Sequence, residues 1–321
     1  MKSKDVFVLI IVIMLMRLFS LSWMPLIDVS EGRYAQIGKE MVTSGDYVTP
    51  QIIINGKLIP FWGKPPLFFW AEAASFKLFG FNEFAARLPG ALSGFLLIGL
   101  LYYVIRRYHD QQTAAAAALI ALTGGALFFT SGLVLLDTTL TLFSAGAWIF
   151  YYAFLRETDS RKKYWFSVVV FVCLALGFLV KGPVALAMFG LPIFFWTLLN
   201  KRWESLKHHA WLTGSLLFCV ITIPWFIYAE HKTTGFLKYF FINENILRFA
   251  SKNYGDLYGQ GHKFPYGSAI AFMLIASAPW SLVVIYLALV KSWKKDKKIK
   301  IIERIKSFLL QLKISPCMGE K

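Results

Sequence analysis

The chain has 321 residues, of which 57% are hydrophobic and 16% are charged, and its mean hydropathy is +0.56. This apolar content exceeds what a soluble protein of the same length buries, so an ordinary water-soluble enzyme is excluded. The net charge is +16, and the three cysteines (Cys173, Cys219 and Cys317) have no paired spacing, which argues against a disulfide or zinc framework.

Apolar runs of about 20 residues recur along the chain, without the two-residue alternation of outer-membrane strands. Because only helices and closed barrels satisfy the backbone in lipid, the pattern predicts an all-α polytopic membrane protein of about eight transmembrane helices. The predicted spans lie near residues 6–24, 84–105, 113–130, 134–155, 164–180, 182–199, 210–229 and 267–290. They form a transmembrane domain over residues 1–290, and a basic cytoplasmic tail follows over residues 291–321.

The positive charges between the spans predict the orientation of the chain. With the amino terminus inside, the inner loops receive Arg106-Arg107, Arg161-Lys162-Lys163, Lys201-Arg202 and the basic tail. Since Lys and Arg are usually in excess on the cytoplasmic side, the two large loops, residues 25–83 and 230–266, are expected on the outer face of the cytoplasmic membrane. We expect the basic tail to meet anionic lipid, and no nucleic-acid partner is predicted.

The first outer loop begins with a predicted amphipathic helix. Asp28 and Glu31 have the spacing of a capping box, in which Asp28 caps the helix and Glu31 reaches back to it. The helix is expected to run to about Ser44 and to end at Gly45. Its apolar face and its polar face predict that it lies in the outer membrane interface.

A hairpin and a second interfacial helix are predicted after it. Asn55-Gly56 lies between two short apolar runs, which is typical of a type I′ hairpin turn. Pro65-Pro66 is suited to the first turn of a helix. One face of that helix is expected to contain five apolar residues: Leu67, Trp70, Ala71, Ala74 and Leu78.

Eight polar residues lie at the predicted outer boundary of the membrane, and they are the candidate site. They are Asp28, Glu31, Arg33, Lys64, Asp137, Lys181, Arg248 and His262. Cations and carboxylates on one interface suit a reaction of a phosphorylated lipid, because cations hold the phosphate and a carboxylate removes a proton from the nucleophile. No nucleotide-binding glycine motif is present. An activated substrate already embedded in the membrane, such as a polyprenyl-phosphate sugar, meets this requirement.

Each candidate residue also has a structural interpretation. Asp28 and Asp137 are suited to cap helices, and Arg33 to pair with a nearby acid. The three other cations, Lys64, Lys181 and Arg248, are suited to anchor the chain at lipid headgroups, and His262 to be a solvated loop residue. The inference of a site therefore depends on the shared side of the membrane.

An ordered series of segments resembles the ArnT-like branch of the protein O-mannosyltransferase superfamily, whose members are GT-C glycosyltransferases that include the lipid A aminoarabinose transferases. The matching segments are Asp28 to Ala35, Gly45 to Pro50, Gly63 to Leu67, Phe79 to Pro89, Leu136 to Leu140, Val180 to Val184, Pro224-Trp225, and Gly235 through Phe249 to Pro279-Trp280. The resemblance covers roughly residues 20–285.

This resemblance implies a GT-C-like fold and inverting transfer of a sugar from an undecaprenyl- or dolichyl-linked phosphosugar to an acceptor on the outer face. It also implies residue roles. Asp28 with Glu31 matches the acidic motif that supplies the base, Lys64 and Arg248 match positions that hold the lipid phosphate, and Asp137 matches a further acid that lines the cavity.

The chain departs from the family at two positions associated with a metal in aminoarabinose transferases. Gly63 replaces a glutamate, and Glu244-Asn245 replaces a Glu-His pair. These departures argue against a divalent metal, which stays an alternative, and no other cofactor is predicted. Family members usually continue into further spans and an outer soluble domain, so a truncated or divergent member is expected.

Two other functions are compatible with these observations. A transporter or flippase of an anionic lipid would require polar residues deep within spans and internal repeats, and beyond Arg17 in the first span the sequence contains neither. An inactive scaffold is the third interpretation. The sequence does not specify the sugar, the acceptor or the oligomeric state.

Overall fold

The computed structural model describes residues 3–27, 29–251, 257–258 and 264–293. The chain divides into two compact units, Met1–Pro265 and Tyr266–Lys321. In chain order the helices are α1 (Ser3–Phe19, followed by a 3₁₀ turn, Ser20–Ser22), α2 (Val29–Ser44), α3 (Leu67–Phe79), α4 (Glu83–Tyr108), α5 (Gln111–Thr123), α6 (Gly125–Thr130), α7 (Leu136–Arg156), α8 (Ser160–Lys181), α9 (Pro183–Asn200), α10 (Trp203–Lys207), α11 (Trp211–Lys232), α12 (Phe236–Lys238), a π-helix (Tyr239–Leu247), α13 (Arg248–Ala250), α14 (Ser268–Ala276) and α15 (Trp280–Trp293).

Within the described residues, six helical segments have the length and hydropathy needed to cross a bilayer. They are Asp5–Ser22, Glu83–Tyr108, Leu136–Arg156, Ser160–Lys181, Pro183–Asn200 and Trp211–Lys232. These segments confirm the predicted all-α polytopic class, and each of the six overlaps one predicted span. The chain is a multi-pass membrane protein.

Two of the eight predicted spans are not continuous helices. The span predicted at 113–130 is α5 and α6, which are separated at Gly124 because adjacent glycines weaken a helix. The span predicted at 267–290 is α14 and α15, which meet at an angle of 102°. Pro279 lies between them, and proline disfavours the helical conformation of the residue before it.

The spanning helices of the first unit pack closely around α7. It packs against α4, α8 and α9, and α8 also packs against α11. Small residues permit this approach: a Cβ added to Gly146 of α7 would lie 3.3 Å from the Cys173 sulfur of α8. Close packing of this kind holds helices together in lipid, where the hydrophobic effect between them is weak.

The large loop between the first and second membrane-spanning segments contains α2, a two-stranded antiparallel hairpin and α3. The strands are β1 (Gln51–Ile54) and β2 (Lys57–Pro60). Asn55 and Gly56 have φ values of 52° and 74°, as a type I′ turn requires, so the hairpin prediction is confirmed. The predicted end of α2 is confirmed as well, because the helix stops at Ser44 and Gly45 has a φ of 72°.

The predicted apolar face of α3 is divided between protein contacts and exposed surface. Leu67 and Trp70 pack against the core, whereas Ala71, Ala74 and Leu78 are exposed. The fully buried residues of the helix are Phe68, Phe69, Glu72, Ala73, Ser75 and Phe76. Because α3 packs against both α2 and α4, it buries its aromatic side in protein, and its place in the membrane interface stays a prediction.

Candidate active site

Glu31 lies at the centre of the loop and is 1% exposed. Its Oε1 accepts hydrogen bonds from Arg87 Nε at 3.1 Å and from the backbone N–H of Val134 at 2.9 Å. Its Oε2 accepts from Arg87 Nη2 at 3.1 Å and from the backbone N–H of Ile27 at 3.2 Å. Asp28, the predicted cap, lies outside the described residues. The predicted capping box confined Glu31 to the start of its own helix, whereas the observed hydrogen bonds connect α2 with α4 and with the segment before α7.

These hydrogen bonds determine the charge of Glu31. Burial raises the pKa of its carboxyl group, but the hydrogen bonds from Arg87, Val134 and Ile27 outweigh burial, and the net pKa is below the usual range. Glu31 is therefore ionised at neutral pH. With both oxygens already accepting two hydrogen bonds, it is a poor acceptor for a substrate proton.

Arg87 is the partner that the sequence analysis did not assign to the site. It is 3% exposed and donates to the carbonyl oxygens of Leu21, Met24 and Pro25 at 2.9, 2.6 and 2.9 Å. Arg87 thus fastens the segment between α1 and α2 to the start of α4. An arginine near the end of an apolar span is the sequence signal that such a buried partner exists.

Two of the predicted phosphate-binding cations meet at one carboxylate. Lys64 Nζ and Arg248 Nη1 each lie 2.5 Å from Oε1 of Glu244, although Lys64 and Glu244 are 180 residues apart in the chain. Burial lowers the pKa of Lys64, and the negative charge of Glu244 opposes that effect. Lys64 also donates to the Gly63 carbonyl oxygen at 2.7 Å. Two loops that are far apart in the sequence therefore contribute to one cluster of charges.

Two further candidate residues, at the start of α7 and the end of α8, form an ion pair. Lys181 Nζ lies 2.7 Å from Oδ1 of Asp137. The Asp137 side chain is 54% exposed and that of Lys181 is 31% exposed, so the pair is open to its surroundings. An exposed pair of this kind contributes little to stability, which leaves both groups available to a ligand.

Tyr34 lies within the electrostatic influence of these groups. Its pKa is raised to about 12, mainly by burial and also by the charges of Asp137 and Glu244, whereas the charges of Arg33 and Arg248 lower it. Four charges from three parts of the chain therefore act on one phenol group. The sequence analysis placed Tyr34 on the apolar face of α2, and the ring does pack against Phe69 with centroids 5.9 Å apart.

The structure thus brings Lys64 and Arg248 to one carboxylate and pairs Lys181 with Asp137, while Arg33 acts electrostatically on Tyr34. Lys181 and Arg248 both affect the pKa of Lys64, and Arg33 and Asp137 both affect that of Tyr34. His262 lies outside the described residues.

The two positions that differ from the metal-associated residues of the aminoarabinose transferases carry no carboxylate or imidazole. One is Gly63, and the other is Asn245, whose side-chain amide donates to the Phe240 carbonyl oxygen at 2.7 Å. Within the described ranges, no cluster of three or more His, Cys, Asp or Glu side chains is arranged to hold a metal ion.

Glu72 of α3 is a buried acid that sequence reasoning missed. It is fully buried, and neither of its carboxylate oxygens has a hydrogen-bond partner in the described part of the chain. Its side chain packs so closely against Gly38 of α2 that a Cβ added there would lie 2.8 Å from the Cβ of Glu72. Burial raises the pKa of this carboxyl group well above its usual range. Glu72 is therefore a neutral acid in the α2–α3 contact.

Replacing Glu72 by Gln is expected to make stability less dependent on pH. The pKa of Glu72 is higher in the folded state than in the unfolded state, so wild-type stability falls as pH rises from the unfolded value towards the folded one. Glutamine is neutral throughout this range, so the variant lacks this pH-dependent contribution to the free energy of unfolding. Thermal unfolding in detergent between pH 5 and pH 8 measures the effect. Equal pH slopes in the two proteins would contradict the assignment of a neutral Glu72.

Comparison with known proteins supplies a family for this arrangement. Residues 4–240 match the family model of dolichyl-phosphate-mannose-protein mannosyltransferases. An undecaprenyl phosphate-alpha-4-amino-4-deoxy-L-arabinose arabinosyl transferase of Serratia proteamaculans is 26% identical over 276 residues, and its counterpart from Edwardsiella ictaluri is 28% identical over 275. The matches cover 86% and 85% of this chain but 47% of each relative.

The fold agrees with a solved structure. ArnT from Cupriavidus metallidurans, crystallised with undecaprenyl phosphate, superposes with a TM-score of 0.78 and 28% sequence identity, covering 88% of this chain and 50% of that one. The chain therefore spans about half the length of the relatives it matches. Because the family model matches well over half of the sequence and the superposition covers most of the described bundle, the chain belongs to the dolichyl-phosphate-mannose-protein mannosyltransferase family.

Proposed function

We propose that the chain is a GT-C glycosyltransferase that moves a sugar from a polyprenyl-phosphate donor to an acceptor at the outer face of the cytoplasmic membrane. The meeting of Lys64 and Arg248 at the Glu244 carboxylate carries the proposal, and Lys181 of the open Asp137–Lys181 pair also acts electrostatically on Lys64. Two cations that converge on one anion are suited to hold the phosphate of a lipid whose chain remains in the bilayer. The orientation is supported by the positive charge of the predicted inner loops.

The chemistry assigned to these groups is a single displacement with inversion. The acceptor attacks the sugar carbon, the bond between that carbon and the phosphate oxygen breaks, and the lipid phosphate leaves with the electron pair. Lys64 and Arg248 stabilise the negative charge that grows on the departing phosphate, which is where preorganised cations are most effective. The acceptor loses its proton to a carboxylate base.

We assign the base to Asp28 rather than Glu31. Both belong to the acidic motif at the start of α2, but the Glu31 carboxylate already accepts four hydrogen bonds and is held ionised by Arg87. In the sequence Asp28 directly precedes α2 and follows Leu21, Met24 and Pro25, whose carbonyl oxygens accept hydrogen bonds from Arg87. Glu31 is proposed as the residue that positions this segment.

The remaining polar residues are assigned to substrate contacts. Asp137 and Lys181 are half-exposed at the outer ends of α7 and α8, where they can bind polar groups of the sugar or the acceptor. Arg33 lies beside Tyr34 and is assigned to the donor phosphate. The contribution of His262 rests on the sequence alone.

The donor is proposed to carry undecaprenyl phosphate. Two relatives are named for a donor of this kind, and the ArnT structure contains undecaprenyl phosphate. The acceptor is assigned only to a class: an envelope lipid, glycan or protein.

Replacing Lys64 by Ala is expected to lower the rate of sugar transfer by about 100-fold or more, because one of the two charges on the leaving phosphate is lost. The fold should persist, since Arg248 still neutralises Glu244. Mass spectrometry of envelope lipids and glycans, in cells expressing each variant, identifies the product and measures its amount.

The matched control is Lys57→Ala, which removes an exposed lysine from β2 of the same loop. Transfer by this variant should equal that of the wild type. Full transfer by Lys64→Ala would refute the phosphate assignment, and lipid movement without a glycosidic product would favour a transporter.

A further inference from the structure

Glu244 occupies the place that the proposed function gives to the donor phosphate. Its carboxylate is 7% exposed, and one oxygen, Oε1, lies 2.5 Å from both Lys64 Nζ and Arg248 Nη1. An oxygen that bridges two cations in this way has the same partners and charge as a phosphate oxygen. Glu244 and Arg248 are four residues apart at the end of a nine-residue π-helix, and Lys64 reaches them from the other loop.

A bound phosphate and the Glu244 carboxylate cannot share the two cations without strong repulsion. Two like charges a few ångströms apart in a partly buried site repel by several times the thermal energy. The carboxylate must therefore leave the cations when the lipid phosphate arrives. Rotation of the Glu244 side chain is sufficient for this, because the carboxylate is held by the two cations it would release.

We propose that Glu244 is an internal counter-ion that neutralises Lys64 and Arg248 in the empty site and competes with the lipid phosphate for them. This inference rests on the proposed function, because it assumes that a lipid phosphate binds there. Glu244 is a positioning residue in this scheme, since it acts on the substrate only through the two cations.

The competition matters most after transfer. The donor is a phosphodiester with one negative charge, whereas the released lipid phosphate is a monoester with a charge of about −1.5 to −2 at pH 7. Two cations that converge on one position would hold this product more tightly than the donor. A carboxylate that returns to the cations weakens that hold, and so favours product release and the binding of a new donor.

The experiment measures the affinity of the purified chain for undecaprenyl phosphate in detergent micelles by native mass spectrometry. Neutral undecaprenol, which lacks the phosphate, provides the baseline for binding of the lipid tail alone. Glu244→Gln keeps the size of the side chain and removes its charge, so its affinity for undecaprenyl phosphate is expected to rise about tenfold. Glu244→Asp retains the charge and should restore affinity towards the wild-type value.

The matched control is Glu40→Gln, which removes an acid of α2 that contacts Thr43. Its affinity should equal that of the wild type. A kinetic readout separates competition from a purely structural role: with Glu244→Gln, both KM for the donor and kcat should fall, and inhibition by added undecaprenyl phosphate should strengthen. If Glu244→Gln only misplaced the two cations, KM for the donor would rise instead.

Three results are decisive. Tighter binding by Glu244→Gln supports the inference. If that variant binds equally or more weakly, while the wild type binds undecaprenyl phosphate better than undecaprenol, Glu244 is not a competing counter-ion. The proposed function then stays in place. Equal binding of undecaprenyl phosphate and undecaprenol by the wild type overturns both.

Discussion

The Arg87→Met variant is expected to lose about 3 to 5 kcal/mol of stability, because it leaves the buried Glu31 carboxylate without its counter-charge. The side chains of Arg87 and Glu31 are 4% and 1% exposed, so water does not replace the lost partner. Three backbone carbonyl oxygens, those of Leu21, Met24 and Pro25, lose their donor at the same time. Thermal unfolding of the purified protein in detergent measures the loss.

The double variant Glu31→Gln/Arg87→Met separates the two causes. It contains no buried charge, so it should be more stable than Arg87→Met alone. It should remain less stable than the wild type, because the three carbonyl oxygens are still without a donor. If Arg87→Met unfolds at the wild-type temperature, the ion pair does not hold the loop.

The Asp28→Asn variant is expected to lose sugar transfer by about 100-fold to 10,000-fold, the usual contribution of a general base. Asparagine has nearly the same size but cannot accept the proton of the acceptor. Asparagine also caps helices as well as aspartate does, so the start of α2 should be preserved. Transfer to the acceptor is measured by mass spectrometry of the product, and stability by thermal unfolding.

Glu31→Gln is the comparison that distinguishes a base from a positioning residue. It should lower both transfer and the unfolding temperature, because Glu31 holds Arg87, Ile27 and Val134. Asp28→Asn should lower transfer only. A fully active Asp28→Asn protein together with a stable but inactive Glu31→Gln protein would move the role of base to Glu31.

Several parts of the fold could be predicted from local sequence. The hairpin depends on Asn55-Gly56, whose two residues accept the positive φ angles of a type I′ turn. The end of α2 depends on Gly45 in the same way. Six of the spans follow from apolar runs, since length and hydropathy alone decide whether a helix can cross lipid.

The breaks within two predicted spans show the limit of hydropathy. Average hydropathy does not register a pair of glycines at Gly124-Gly125 or a proline at Pro279, so it predicts one helix where the chain forms two. Both breaks have a local cause in the backbone, and both could be predicted from the same residues if they were considered individually.

The sequence by itself determined the class of the protein, the local turns and the residue types that gather at the outer boundary, because these depend on composition and on neighbours in the chain. The tertiary structure alone decided the partners. Glu31 pairs with Arg87, 56 residues away, and Lys64 with Glu244, 180 residues away. Which charge a buried carboxylate meets depends on how helices pack. That packing also explains why Glu31 is ionised while Glu72, which has no cation beside it among the described residues, is neutral.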